Sequence, residues 1–424
     1  MCRPPVKPPV VVVKKASRLV RFLWQCWTLV KLAVRLCLML LPQSHLWLVM
    51  VMKLICFALA LSPALGSSCV YWLRTVRKNV AYGPGMRHLL DIYESKVPNC
   101  PVVVFVTGGA WVIGYKAWAV PLGRALSAQG FVVVAPDYRN APQARVNEMV
   151  DDCDRAIDWT LKNIQKFGGD PTKVVLAGQS AGAHLTALLL LRKAERDLEG
   201  TCEISPSSKN LPLRPWPAKS VRGFVGISGP YHVGATAVHW IARGLTTAIF
   251  RYIFSGDLAA HSPTDECLRL LREKKIIGRF LPPMCLVHGT ADMSAPCVTS
   301  ELFEARLSLL GADVEPTKLY ENWSHTDPIL EKPFSGDHSL HADIFHLVHT
   351  WTNSNSSSSI TTNKTIQDHA SWWLPTTKGG KKTSFYDKKD DDNNIPPVFN
   401  HDAPGCRQFA PRFLIDFGRW CMPF

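Results

Sequence analysis

Lys173-Val174-Val175-Leu176-Ala177-Gly178-Gln179-Ser180-Ala181-Gly182-Ala183-His184-Leu185-Thr186-Ala187-Leu188-Leu189-Leu190-Leu191 runs from a β-branched segment, through a serine framed by glycines, into an apolar helix-forming segment. Val174–Ala177 is apolar without alternation, the pattern of a strand covered on both faces. A Gly-x-Ser-x-Gly turn between such a strand and a helix is a nucleophile elbow. The turn is tight and neighbouring backbone passes close by, so glycine is needed where a Cβ would not fit. The Ser180 hydroxyl is thereby held at the carboxyl end of a sheet, with a helix N-terminus behind it to favour negative charge.

Outward from this run, short β-branched segments alternate with helical patterns. Strands are expected at Leu89–Tyr93, Val102–Val106, Val132–Ala135, Gly223–Ile227, Met284–His288 and Thr317–Tyr320. Helices are expected at Asn147–Phe167, Ala181–Leu198 and Cys297–Leu310. This alternation predicts an α/β fold with a mostly parallel central sheet.

A serine nucleophile needs a base, and the base needs an orienting carboxylate; in this architecture they follow in the order Ser, Asp or Glu, His. Asp292 falls in the loop after the strand Met284–His288, and His325 in the loop after Thr317–Tyr320. Either alone would pass for a turn residue or plain surface; their order and positions make them the predicted acid and base. His288 is a rival base, though it precedes the tight turn and would pack beneath the loop. Asp327 is a rival acid, though two residues from His325 it would not easily reach the imidazole. Thr107-Gly108-Gly109-Ala110-Trp111 directly follows the strand Val102–Val106. The amides of Gly108 and Gly109, with that of Ala181, are placed to receive the negative charge that acyl transfer develops on a carbonyl oxygen. Trp111, Tyr115, Lys116 and Trp118 could line an apolar acyl pocket, or equally be core or surface anchors. No HExxH or CxxC motif and no Gly-rich dinucleotide fingerprint is present, so neither a metal nor a cofactor is expected.

The formal charge of +14 over 424 residues would suit a nucleic-acid binder if it were spread over a folded surface. It is not. Residues 1–90 carry 13 of the 48 Lys and Arg and none of the 34 Asp and Glu, so the remaining 35 basic residues nearly balance the acidic ones. Nucleic acid is therefore not expected as a partner, and membrane lipid is. In Arg18–Arg35 the polar residues recur every three or four positions between tryptophans and aliphatics, as in an interfacial helix attracted to anionic lipid. Leu46–Leu65 has one charge, Lys53, in 20 residues and is long enough for a transmembrane anchor. Sequons at Asn322, Asn355 and Asn363 do not fix which side the rest faces. Three regions are expected: a membrane arm at 1–80, a catalytic domain at 81–351, and a disordered Ser/Asn/Lys/Asp-rich tail at 352–424 whose last aromatic residues could dock back.

The passages Thr107-Gly108-Gly109-Ala110-Trp111, Gly114-Tyr115-Lys116-Ala117-Trp118, Asp137-Tyr138-Arg139-Asn140, Phe167-Gly168-Gly169-Asp170-Pro171, Gly178 to His184, and Ser324-His325-Thr326-Asp327 resemble the isoprenylcysteine α-carbonyl methylesterases of the α/β-hydrolase superfamily. Related esterases usually show His-Gly-Gly where this chain has Thr-Gly-Gly, and the Gly-Tyr-Lys-Ala-Trp run is more specific still. The resemblance covers roughly residues 85–350. It implies hydrolysis of the methyl ester on the C-terminal S-prenylcysteine of prenylated proteins, in a membrane-bound enzyme of the endoplasmic reticulum and Golgi. It assigns the active site to Ser180, Asp292 and His325, and substrate-contacting backbone to Gly108, Gly109 and Ala110 and to Gln179, Ser180 and Ala181. A Pro/Ser/Lys-rich loop, Ser205–Lys219, reads as a cap-like insertion that would shape specificity. Competing readings are a general carboxylesterase or lipase of the hormone-sensitive type, a kynurenine-formamidase-like hydrolase, and a noncatalytic hydrolase-fold binding module.

Overall fold

The computed structural model describes residues 45–200, 213–353, 397–406, 408 and 410–421. Eight strands form one sheet: β1 (Arg77–Ala81), β2 (Leu89–Tyr93), β3 (Cys100–Val106), β4 (Val132–Pro136), β5 (Gly169–Gln179), β6 (Phe224–Ile227), β7 (Met284–Gly289) and β8 (Lys318–Tyr320). Their order is β1-β2-β4-β3-β5-β6-β7-β8, with β2 antiparallel to both β1 and β4 and every other pairing parallel. The apolar runs of the central strands split by parity, as side chains that alternate across a sheet must. Val102, Val104, Val132, Val134, Val174 and Leu176 join one core cluster; Val103, Phe105, Val133, Ala135, Val175 and Ala177 join the other. Both faces are dry, which is why these strands show no polar alternation.

The first face is covered by α4 (Val146–Asn163), α5 (Ala181–Glu199), α8 (Pro263–Arg272) and α9 (Val298–Leu309). The second is covered by α3 (Val120–Ala128), α10 (Glu331–Phe334) and α11 (Ser339–Asn353). Two segments expected elsewhere join that second cover: the N-terminal helices α1 (His45–Ala60) and α2 (Ser62–Thr75), and the C-terminal helix α12 (Arg412–Cys421).

The transmembrane expectation for Leu46–Leu65 is corrected here. No helix among the described residues is long and apolar enough to cross a membrane. Pro63 lies in the first turn of α2, where a missing N–H is tolerated, so the apolar run divides at Leu61 into two helices. The 16 residues of α1 rise about 24 Å, short of a hydrocarbon core of about 30 Å. Phe57, Ala60, Leu61 and Ala64 are buried against the domain instead. Trp72 of α2 donates through Nε1 to Asp91 Oδ2 at 2.6 Å, and Asp91 pairs with the buried Lys116. The interfacial helix expected at Arg18–Arg35 lies outside the described residues.

Arg77–Ala81, assigned mostly to the membrane arm, is a strand of the sheet. The segment expected to be a disordered tail, 352–424, is ordered at both ends: α11 runs on to Asn353, and Phe399, Ala403, Cys406, Ala410 and Ile415 are buried in the second core, with α12 packed against α1. Residues 354–396 lie outside the described residues.

Candidate active site

The site forms where β3, β5, β7 and β8 end. Ser180 follows β5 with φ 52° and ψ −123°, a conformation normally disfavoured for a residue with a side chain, and its amide donates to the Ile227 carbonyl at 2.8 Å. Two absent side chains make the turn possible. A Cβ on Gly178 would lie 2.7 Å from the Ala183 backbone, and one on Gly182 would lie 2.0 Å from the Val106 carbonyl oxygen.

His325, in the loop after β8, places Nε2 2.8 Å from Ser180 Oγ and Nδ1 2.7 Å from Asp292 Oδ2. An ionised carboxylate only accepts, so Nδ1 carries the proton and Nε2 offers its lone pair to the serine hydroxyl. Asp292 is buried, which by itself would raise its pKa. The facing His325, with hydrogen bonds from His288 and His325, outweighs burial and holds the carboxyl well below the usual carboxylate range. Its second oxygen, Oδ1, accepts from the amides of Ser294 (2.8 Å) and Ala295 (2.9 Å).

The two rivals have other places. His288 is buried behind the carboxylate, its Nε2 3.0 Å from Asp292 Oδ2 and 2.9 Å from the Ala295 carbonyl, with Nδ1 against Ser300 Oγ. It braces the acid from below. Asp327 accepts from the Ser324 amide at 2.6 Å and shapes the loop that carries His325.

The Gly108–Ala110 loop lies beside the nucleophile: a Cβ on Gly108 would be 2.6 Å from Ser180 Cβ and 2.3 Å from Gln179 Oε1. Gly109, Ala110 and Trp111 all have positive φ. Ala181 is the first residue of α5, so its amide has no acceptor within the helix. Gln179 is buried and its side-chain amide reaches the His325 carbonyl at 3.4 Å, tying the two loops together.

A narrow cavity opens on Ser180 and His325, lined also by Ala110, Trp111, Pro230, Thr236, Trp240, Ser294 and Ala295. Of the four candidates around the loop only Trp111 lines it. Lys116 is buried in its ion pair, Tyr115 sits edge-on to Trp72, and Trp118 packs on the second core. Thr236 and Trp240 of α6 (Val233–Ile241) cover the cavity, with α7 (Thr247–Ile253) packed against Trp240 through Phe250; of the Ser205–Lys219 loop expected as a cap, only residues 213–219 are described. The described end of that loop packs far along α5, where Lys193 and Arg196 bind the Arg214 carbonyl. Residues 205–212 lie outside the described residues. Trp240 Nε1 donates to the Ser294 carbonyl at 2.6 Å and His239 Nε2 to that of Met293 at 2.5 Å, so α6 is pinned onto the loop that carries the acid. Reading the sequence missed Pro230, Thr236 and Trp240; the one available signal was the long aromatic-bearing stretch between the strands at Ile227 and Met284.

The BD-FAE family matches residues 90–307. The isoprenylcysteine alpha-carbonyl methylesterase ICME of Arabidopsis thaliana is 36% identical over 318 residues, 73% of this chain and 71% of that protein. Esterase LipC of Mycobacterium tuberculosis is 34% identical over 54% of this chain and 55% of its own. The solved apo form of Thermogutta terrifontis esterase 2 is 21% identical, covering 65% of this chain and 94% of that one at a TM-score of 0.48. The molecule is an α/β-hydrolase, a serine enzyme that hydrolyses carboxylic esters. Within that class the chain belongs to the isoprenylcysteine alpha-carbonyl methylesterase family.

Proposed function

We propose that the protein hydrolyses the methyl ester of a C-terminal S-prenylcysteine, releasing methanol and a free carboxylate. The observation that carries the chemistry is the unbroken chain Ser180 Oγ, His325 Nε2, His325 Nδ1, Asp292 Oδ2, with each link at 2.7 or 2.8 Å. Ser180 attacks the ester carbonyl while His325 Nε2 takes its proton, and the amides of Gly108–Ala110 and Ala181 receive the developing oxyanion. His325 then returns the proton to the departing methoxide. Water repeats the attack on the acyl-enzyme and frees the carboxylate. Asp292 keeps the imidazole in the tautomer that accepts from serine and offsets the charge it gains.

Family membership supports the prenylcysteine substrate, and so does the wall chemistry. The cavity is bounded by Trp111, Pro230 and Trp240, and Val238, Ile241 and Met293 are exposed on and beside α6, where an isoprenoid chain could lie. The proposal extends to lipid as the setting. Val49, Met52, Ile55 and Leu59 of α1 and Phe413 and Phe417 of α12 are exposed on two packed helices, continuing from the basic N-terminal arm. An in-plane seat on an anionic membrane would cover them without a span.

The test is methanol release from farnesylcysteine methyl ester by the full-length chain, beside Ser180→Ala and with p-nitrophenyl acetate for comparison. Ser180-dependent release that exceeds turnover of the small ester is the expected result. Turnover of p-nitrophenyl acetate alone would replace the proposal with a general esterase.

A further inference from the structure

His184 has no part in the mechanism above, yet it is wholly buried one helical turn below the nucleophile, its amide donating to the Ser180 carbonyl at 3.0 Å. Its ring meets two partners. Trp111 Nε1 lies 3.2 Å from His184 Nδ1, and the His261 carbonyl oxygen lies 2.6 Å from His184 Nε2. An indole nitrogen only donates and a carbonyl only accepts. The pair therefore fixes a single neutral tautomer, with the proton on Nε2 and a lone pair on Nδ1. A charged ring would set an N–H against the indole N–H. Burial prevents that by lowering the His184 pKa to about 3.

The indole held by this bond belongs to an unusual stretch of backbone. Gly109, Ala110 and Trp111 have φ of 132°, 51° and 61° in succession. Left-handed backbone costs a residue with a Cβ about 1–3 kcal/mol and persists only where its surroundings over-determine it. Trp111 is over-determined: its carbonyl accepts from the Ala141 amide at 2.8 Å, and its ring stands edge-on to both His184 and Phe254, with centroids 5.3 and 5.0 Å away. His184 Nδ1 is the one polar partner of that ring among the described residues.

We infer that His184 is a positioning residue for ester hydrolysis: its Nδ1 lone pair anchors the Trp111 indole and so keeps Gly108–Trp111 in the conformation that presents the oxyanion amides to Ser180. Its Nε2–H ties the same anchor to the His261 segment that follows α7. The nucleophile's helix, the oxyanion loop and the cover thus share one side chain. The inference rests on the active-site reading above, with Gly108–Ala110 as the oxyanion loop.

Two substitutions separate the two bonds. In His184→Asn an amide oxygen takes the place of Nδ1 and still accepts from Trp111. In His184→Gln the longer side chain reaches His261 but leaves Trp111 without an acceptor. Each is made in the full-length chain, with kcat and KM measured on p-nitrophenyl acetate and thermal melting recorded alongside. His184→Gln should lower kcat about a hundredfold with KM changed by less than about twofold, the loss a misplacement of about 1 Å brings. His184→Asn should recover about tenfold of that loss without melting higher than His184→Gln. Trp111→Phe, which keeps an aromatic ring and removes only the donor, should lower kcat as His184→Gln does, and the double variant should lose no more than either. It also carries the test if His184→Gln does not fold. Equal kcat for Asn and Gln, kcat that merely follows melting temperature, or losses that add in the double variant would overturn the inference. If Ser180→Ala remains active, the active-site reading itself has failed; activity that needs Ser180 but is indifferent to His184→Gln and to Trp111→Phe removes this inference alone.

Discussion

At the scale of single residues, the elbow is limited by space. A methyl group on Gly182 would stand 2.0 Å from the Val106 oxygen and 2.8 Å from the Thr107 oxygen, both backbone atoms at the end of a central strand. Neither can yield without moving the oxyanion loop. Gly182→Ala should therefore cost about 3 kcal/mol or more by urea unfolding. Gly66 is the contrast: it lies within α2 with no neighbour within 4 Å of a built Cβ, so Gly66→Ala should stabilise by about 0.5–1 kcal/mol. The residues that meet at the site were legible where local order marks them. Ser180 lies between a strand and a helix, and Asp292 and His325 each follow a strand, so a one-dimensional pattern captures the convergence of strand ends. His184 and Trp240 carry no such mark. One looks like any helix residue, and the other acts across a tertiary contact with the Ser294 carbonyl.

At the scale of elements, the mostly parallel sheet could be read because strands dry on both faces spell themselves as unbroken apolar runs. The same spelling misled at Leu46–Leu65. An apolar run of 20 residues fits a bilayer or a protein surface equally well, and only its partners decide. Pro63 was a visible signal for a break; the burial of Phe57 and Leu61 was not, because the helix that packs on them, around Gly418, lies hundreds of residues away in sequence. What remains exposed on α1 and α12 gives the lipid proposal its test. Leu59→Asp with Phe413→Asp places charges on two residues that are 68% and 70% exposed, so the fold should be unaffected. The pair should cut co-flotation of the full chain with anionic phospholipid vesicles by about thirtyfold or more, since the two apolar side chains withdrawn from lipid together forfeit about 2–4 kcal/mol. Unchanged flotation would move the lipid contact elsewhere in the chain.

At the scale of the whole molecule, the buried histidines set the response to acid. His184 and His341 are fully buried, and burial lowers both to about 3 from an ordinary value near 6.5. Between those values the unfolded chain binds protons that the folded chain refuses, so these two histidines withdraw stability as pH drops below about 6.5, a loss offset in part by Asp137, whose carboxyl burial raises to about 6. From pH 7 to pH 5 each contributes a loss of about 1–2 kcal/mol. Asp292 acts lower, because its depressed pKa supplies stability above the ordinary carboxylate range that is lost only as pH falls through it. Urea unfolding at pH 7, 6 and 5 should show a steady decline, shallower in His184→Asn.

The seam between α1 and α12 has a consequence in time. A Cβ on Gly418 would stand 3.5 Å from Leu61 and 3.6 Å from Phe57, so a helix made hundreds of residues later closes over α1. On the ribosome those early side chains wait for the rest of the chain, roughly 20–70 s at ordinary rates of synthesis. During that interval the surface that α12 will later cover stays open, and the seam closes only once α12 has left the ribosome.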